Sequence, residues 1–351
     1  MATGKGSDVQ FMVMEEDQWG TTPSSPDGYV LAVSGLGGDW YRRNLIENPE
    51  LRANRSPSAP VRGNVSVNGS ATVPLHLDSV GWLLKYGVGI PALSGSYVHT
   101  SKVNYSGSTA GGDLPPGLTV EHGYTDIGEY HVMAGCRIAT LGFNATSEGV
   151  CTIEAGFIGE GSFTRYTTSR DTTPTSYTST AIDHFAATIQ EGGSSSAIIT
   201  DINFTLDNGM DDSLFIVGGS GQRGSLPAGI ASVTGSLTAL FQDNALLTKA
   251  INHTESSLQL TWTSGSDSLQ IDIPELVYEP ASPAVSGPAG VRLSLNFQGY
   301  YANGSDSTCF MSTLTNTVSS YVGITNSIDV DSVPDLAIAI GGNPVVTSTA
   351  A

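Results

Sequence analysis

Apolar and polar residues alternate with a period of two along much of the chain, the pattern of strands with one buried face. From Val65 to Val73, the residues Val65, Val67, Gly69, Ala71 and Val73 share one face, and Ser66, Asn68, Ser70 and Thr72 the other. Ala139, Leu141 and Phe143 are set against Thr140 and Asn144, and Leu258, Leu260 and Trp262 against Gln259, Thr261 and Thr263. Leu269, Ile271 and Ile273 alternate with Gln270 and Asp272, which are expected to point outward. Val291, Leu293, Leu295 and Phe297 do the same against Arg292, Ser294 and Asn296. Turn residues between such runs predict two hairpins, one through Asn144–Gly149 and one through Thr263–Asp267.

Helical periodicity is confined to two short stretches. His76–Val88 places Val80, Leu83, Leu84 and Val88 on one stripe, with Asp78 as the expected N-cap. Asp243–Asn252 is the second, again opened by an aspartate. The two regions match. Val67–Thr72 parallels Val233–Thr238, and each strand is followed by an Asp-led helix that carries a lysine near its end, Lys85 or Lys249. That order predicts a mainly β chain of two tandem sandwich or barrel units, each with a short flanking helix. The expected boundaries are 1–161 for the first unit, 162–196 for a Ser/Thr/Gly-rich linker or loop, 197–318 for the second unit, and 319–351 for a C-terminal extension.

Composition narrows the function. Among 351 residues, charged side chains make up 13% and the formal net charge is −19, so a grip on phosphate through counterion release is not expected. Cys136, Cys151 and Cys309 have no metal spacing and read as buried apolar groups. The six histidines are scattered, so no metal and no cofactor is expected. Gly219-Ser220-Gly221-Gln222-Arg223-Gly224 has the spacing of a dinucleotide loop, but Leu226-Pro227-Ala228-Gly229 follows where a helix is needed. The paired carboxylates at Glu15-Glu16-Asp17, Asp211-Asp212 and Asp329/Asp331 read as acidic turns and helix starts; calcium is the other use that Asp329 and Asp331 suggest, but no full loop pattern surrounds them. No nucleophile elbow or acid–base pair can be named, and no enzyme is predicted. Neither a leader peptide nor a membrane-spanning run is expected.

The order of the motifs resembles a known family. Val9–Glu16 followed by Asp17-Gln18-Trp19-Gly20-Thr21 is similar to the "Glu-Glu-x-x-Trp-Gly-Thr" opening of the tail tube proteins of long-tailed phages. Arg62–Ser70 and Gly81-Trp82-Leu83-Leu84-Lys85 resemble its next strand and helix. Ile202–Asn208, Val233–Thr238 and Leu269–Pro274 resemble strands of its second part. The motif positions are therefore Glu15, Glu16, Trp19, Gly20, Gly69, Leu84, Lys85, Gly235 and Pro274.

The resemblance implies a virion structural protein, made in the host cytoplasm, that polymerises into stacked rings forming a tail tube. Its lumen would carry the tape measure protein and then double-stranded DNA. Other implied partners are the tail terminator, the tail tip and further copies of the chain, with no membrane. Six single-unit copies close such a ring; a duplicated chain is expected to need three, in pseudo-six-fold symmetry, with the hexamer as the alternative. Ser66, Asn68, Ser70, Thr72, Ser232, Thr234, Ser236 and Thr238 are the expected lumen-lining residues. The competing reading is a surface adhesin or lectin-like β-sandwich, suggested by the Ser/Thr-rich strands and by Trp19 and Trp40.

Overall fold

Every alternating stretch coincides, to within one residue, with a strand of a mainly β protein, so the period-two pattern translates directly into sheet. The computed structural model describes residues 3–321 apart from 52–54, 96, 104–113, 147, 178, 197, 286–289, 303–307 and 319–320. Residues 322–351, and with them Asp329 and Asp331 and nearly all of the expected C-terminal extension, lie outside the described residues.

The first half contains β1 (Val9–Glu16), β2 (Gly28–Leu31), β3 (Gly35–Ile46), β4 (Val61–Pro74) and α1 (Val80–Gly87). It continues with β5 (Ala92–Ser94), β6 (Val98–Lys102), β7 (Gly117–Tyr124), β8 (Glu129–Thr146) and β9 (Thr152–Gly159). Then come β10 (Thr164–Tyr166), β11 (Thr175–Ser176), β12 (Ala187–Glu191) and β13 (Ser194–Ser195). The remainder is β14 (Ile199–Asp207), β15 (Ser232–Leu240), α2 (Ala245–Ile251), β16 (Ser256–Ser264), β17 (Asp267–Tyr278), β18 (Arg292–Tyr300) and β19 (Met311–Thr315).

One wide antiparallel sheet runs in the order β3-β4-β9-β8-β14-β15-β18-β17. Two smaller sheets cover it: β2-β1-β7-β8-β10 over the first half, and β12-β16-β17-β19-β6 over the second. β8 and β17 belong to both layers. The first part of each pairs in the cover and the last part in the wide sheet, and β8 carries a register shift between Ile138 and Thr140.

The same pairing scheme occurs twice. β1, β2, β3, β4, α1, β7, β8, β9 and β10 occupy the places that β12, β13, β14, β15, α2, β16, β17, β18 and β19 occupy in the second half. Helix lysines make matching ion pairs with the ends of matching strands, Lys85 with Glu15 on β1 and Lys249 with Glu191 on β12. Glycines recur too: Gly69 and Gly235 sit at equivalent points of β4 and β15. A Cβ at Gly69 would lie 2.1 Å from the Trp40 ring, and one at Gly235 would lie 2.5 Å from Phe297 and 2.4 Å from the Asn203 carbonyl oxygen. Both strands need glycine because an aromatic ring or a neighbouring backbone takes the space.

Apolar side chains fill the gap between layers. Phe11, Trp40 and Phe157 meet with centroids 5.4–5.9 Å apart in the first half. Phe143 of β8 stacks on Phe204 of β14 at 5.1 Å, which buries the joint between the halves. Each fully buried ring of this size stabilises the fold by roughly 1.5–3 kcal/mol.

Four details differ from the sequence reading. Helix α1 starts at Val80, with Ser79 at its N-cap position, because the Asp78 carboxylate accepts instead from Ser179, whose backbone N is 2.9 Å away. Helix α2 spans only Ala245–Ile251, although Asp243 does accept from the Ala245 N–H at 2.9 Å. Asp272 is 9% exposed and not free to water, since the Gln259 and Gln270 amides cover its carboxylate at 2.7 and 2.8 Å. Finally, the stretch 162–196 does more than connect. It supplies β10 to the cover of the first half, β11 to the edge of β2, and β12 and β13 to the cover of the second.

Candidate functional site

The wide sheet has one face packed in the core and one open face that is largely polar, interrupted by Ile158, Leu240 and Val277. Directly opposed residues of antiparallel strands share a face, so the register fixes its membership. Ser70 lies opposite Gly156, Gly156 opposite Thr140, and Thr140 opposite Asp207. Asp207 is opposite Ser232, and across the same strands Asn203, Ser236 and Asn296 form a further row. Ser66, Asn68, Ser70, Thr72, Ser232, Thr234, Ser236 and Thr238 therefore all lie on this one open face, although the two groups come from opposite halves. Hydroxyls and amides there bond along the surface: Ser236 to Asn203 at 3.2 Å, Thr238 with Ser294 at 2.9 Å, and Asn296 to Glu279 at 3.1 Å.

Charge on the face leans negative. Asp39, Glu154, Asp201, Asp207, Glu275 and Glu279 share the register of this face, against Arg42, Arg62, Arg137 and Arg292. The Asp39 carboxylate engages Arg42 at 3.2 Å. Among the described residues no row of lysines stands on this face to hold phosphate, so a polyanion passing across it would meet hydrated and weakly repelling groups.

The motif residues Glu15, Glu16, Trp19, Gly20 and Lys85 form a structural clamp under the cover sheet. Lys85 is fully buried, paired to the Glu15 carboxylate, with its ammonium 5.2 Å from the Trp82 ring and 5.7 Å from that of Tyr86. Burial pushes its pKa down, and Glu15 opposes that shift. Glu16 accepts from Gly20 N at 2.8 Å, Thr119 Oγ1 at 2.7 Å and Gly135 N at 2.8 Å, while Trp19 Nε1 donates to the Gly135 carbonyl at 3.0 Å. Burial still raises the Glu16 pKa against the lowering by those donors. Gly20 has φ +78°, and a Cβ there would lie 2.6 Å from Glu160 Oε2. Leu84 is buried in the same core, and Pro274 lies where β17 passes from one layer to the other. Sequence reasoning had no signal for the partners Thr119, Gly135 and Glu160.

His122 sits in this core against Trp40 at 4.4 Å and Phe11 at 5.5 Å, with Nε2 unpartnered. Burial first, and the nearby His131 second, push its pKa down to about 4. Above its unfolded pKa the residue is neutral in both states. As pH falls from about 6.5 to 4 only the unfolded chain takes up the proton, so folding stability drops, by on the order of 3 kcal/mol when complete. Burial raises the pKa values of Glu16, Glu121 and Glu160, whose titration acts in the opposite sense. The expected result is that His122→Phe loses less stability than the parent between pH 6.5 and 4, in urea melts run side by side. Parallel losses would refute it.

The glycine-rich stretch 219–224 is a loop. Ser220 and Gly221 have φ of +58° and +82°, the Gly221 carbonyl accepts from Val65 N at 2.8 Å, and Arg223 Nη1 donates to the Gly159 carbonyl at 2.6 Å. It ties the second half to the first. All three cysteines are buried and free. Among the described residues no group of three or more His, Cys, Asp or Glu could hold a metal ion, and no helix is long and apolar enough to cross a membrane. No curated protein matches the chain. A family model described as phage tail tube protein matches residues 6–299.

Proposed function

The chain belongs to the phage tail tube protein family, a structural family of the virion tail, and from that premise we propose that it polymerises into stacked rings whose lumen carries the tape measure protein and then the genome. The observation that supports this reading is the open face of the wide sheet, which is largely polar over its eight strands and carries more acidic than basic residues. Turned inward, such a face conducts DNA without binding it. Ser66, Asn68, Ser70, Thr72, Ser232, Thr234, Ser236 and Thr238 are then the lining.

The doubled pairing scheme supports a duplicated chain, with one unit from the N-terminus through β10 and a second beginning just before β12. Each unit contributes four strands to the wide sheet. Three copies then close a ring that six single units close elsewhere, with pseudo-six-fold symmetry. The tape measure, the tail terminator and the tail tip are the partners this assembly requires.

Negative-stain electron microscopy of the concentrated protein, with salt varied and purified tail tips added as initiators, tests the reading. Hollow tubes or stacked rings are expected, with three copies and six similar lobes in averaged end-on views. Discrete small particles under every condition would sink the tube reading, and six copies per ring would sink the trimer.

A further inference from the structure

The doubled fold puts two cover sheets in matching places, and their outer faces differ. In the first half Phe11 and Val13 point into the core, whereas Met12, Met14, Thr119 and Glu121 point away from it yet are fully buried, because stretches around Thr22 and Ser169 cross over them. Glu121 accepts from the Ser169 hydroxyl at 2.7 Å and from Arg170 N at 2.8 Å, and Thr119 Oγ1 donates to Thr22 Oγ1 at 3.3 Å. Matching Glu15 with Glu191 puts Thr188 and Gln190 in the places of Met12 and Met14, and Thr261 and Gln259 in those of Glu121 and Thr119. There the outer face is polar and stays open. Thr188, Thr261, Gln270, Thr313 and Thr100 stand opposite one another across β12, β16, β17, β19 and β6, and none of them is buried.

The next row builds a site. Gln190, Gln259, Asp272 and Met311 are likewise opposed, and with Gly193 and Pro274 they line a groove of about 350 Å³, a size that suits a small molecule. Asp272, 9% exposed, holds its floor: one carboxylate oxygen accepts from Gln259 Nε2 at 2.7 Å and the other from Gln270 Nε2 at 2.8 Å. An ionised carboxylate only accepts, so both amides are fixed in orientation. Each glutamine gives one N–H to Asp272 and keeps its Oε1 and a second N–H for a ligand.

We propose that this groove binds a neutral saccharide, with neighbouring hydroxyls seated on the Gln259 and Gln270 amides and a C–H face of the sugar against Met311 and Pro274. A hydroxyl both donates and accepts, and a held amide offers one group of each kind. Two amides tied to one carboxylate therefore suit a pair of adjacent hydroxyls, and their orientation is already fixed before the ligand arrives. Charged ligands fit less well. The Asp272 oxygens are taken by the amides, and no cationic side chain lines the groove to hold an anion. The outer face of this cover sheet points away from the open face of the wide sheet. On the tube reading above it stands on the tube exterior, where it would meet cell-surface glycans; binding itself does not depend on that reading.

Saturation-transfer NMR and calorimetry on the full unassembled chain test the site. The neutral probes are maltose, cellobiose, lactose and N,N′-diacetylchitobiose; sucrose octasulfate is the anionic probe and the tripeptide Lys-Ser-Lys the basic one. At least one neutral disaccharide is expected to bind with a Kd of about 1 mM. Gln259→Ala, and separately Met311→Trp, which fills the groove and leaves the amides in place, should each weaken binding by about tenfold or more while keeping the parental urea midpoint. On assembled tubes the same affinity is expected, and its loss there would overturn the exterior placement. No neutral disaccharide bound at about 20 mM, binding unchanged in both variants, or binding of the sulfated sugar or the tripeptide alone would overturn the saccharide site. None of these outcomes touches the tube reading, which microscopy tests by itself.

Discussion

Glu15→Leu is expected to destabilise the unassembled protein by about 3–5 kcal/mol, the cost of leaving a buried charge without its partner. The Lys85 side chain is wholly shielded from water, and Glu15 is the carboxylate paired with it, itself 22% exposed. Removing the carboxylate leaves an ammonium among Trp82, Tyr86 and apolar neighbours, where it must persist uncompensated or give up its proton. Removing the lysine is milder, because water reaches Glu15. Lys85→Met should therefore cost about 1–2 kcal/mol, and the double variant Lys85→Met/Glu15→Leu should recover most of the loss from Glu15→Leu alone. Urea denaturation of the four proteins measures the coupling. If Glu15→Leu costs less than about 1 kcal/mol, the clamp does not hold β1 to α1. In the second half Lys249 is 29% exposed, so the loss of its Glu191 partner is cushioned by water.

How much of this was readable beforehand depends on where each residue's environment is set. Strands with one wet face announced themselves, since Val65–Val73, Leu258–Thr263 and Val291–Phe297 alternate cleanly and fall in β4, β16 and β18. The turn at Gly265, with φ +63°, was equally plain between Ser264 and Asp267. Strand β1 was harder: Phe11, Met12, Val13 and Met14 are all buried, so it carries no alternation and was marked only by its likeness to a family motif. β3 gave no periodic signal either. Its Gly35-Leu36-Gly37-Gly38 start and charged middle are mostly exposed, because one edge and one face have no partner among the described residues. The stretch 162–196 looked like a connector because β10 to β13 have two to five residues each, too short for a pattern.

The candidate face was legible as separate polar rows, while its continuity was not. That Ser66–Thr72 and Ser232–Thr238 lie on one surface follows from β9, β8 and β14 standing between them in register, which no local spacing encodes. The clamp was legible as a motif without its reason. Glu15 meets Lys85 across 70 positions, and Glu16 meets Thr119 across 103. A lysine and a glycine that recur in matching strand–helix segments were more informative than any catalytic-looking pattern, because they mark the pairing scheme that the two halves share.

Asn68→Lys combined with Thr234→Lys is expected to leave folding and tube formation intact while slowing genome release by a factor of a hundred or more. The two positions are equivalent in the two halves and both are exposed on the open face, so the fold should change by no more than about 0.5 kcal/mol. What changes, on the reading proposed above, is the channel wall. Every ring would gain lysines facing phosphate, and each phosphate neutralised contributes to binding that steepens as salt falls, with a slope of about −0.9 per contact in logarithmic terms. Summed over many stacked rings, a wall that DNA slides past becomes one that holds it. Ejection from purified virions, followed by dye binding to released DNA, should be slow at low salt and recover at high salt, whereas Asn68→Asp with Thr234→Asp should eject at the parental rate. Lysine variants that release their genomes as fast as the parent at every salt concentration would show that this face does not line the conduit.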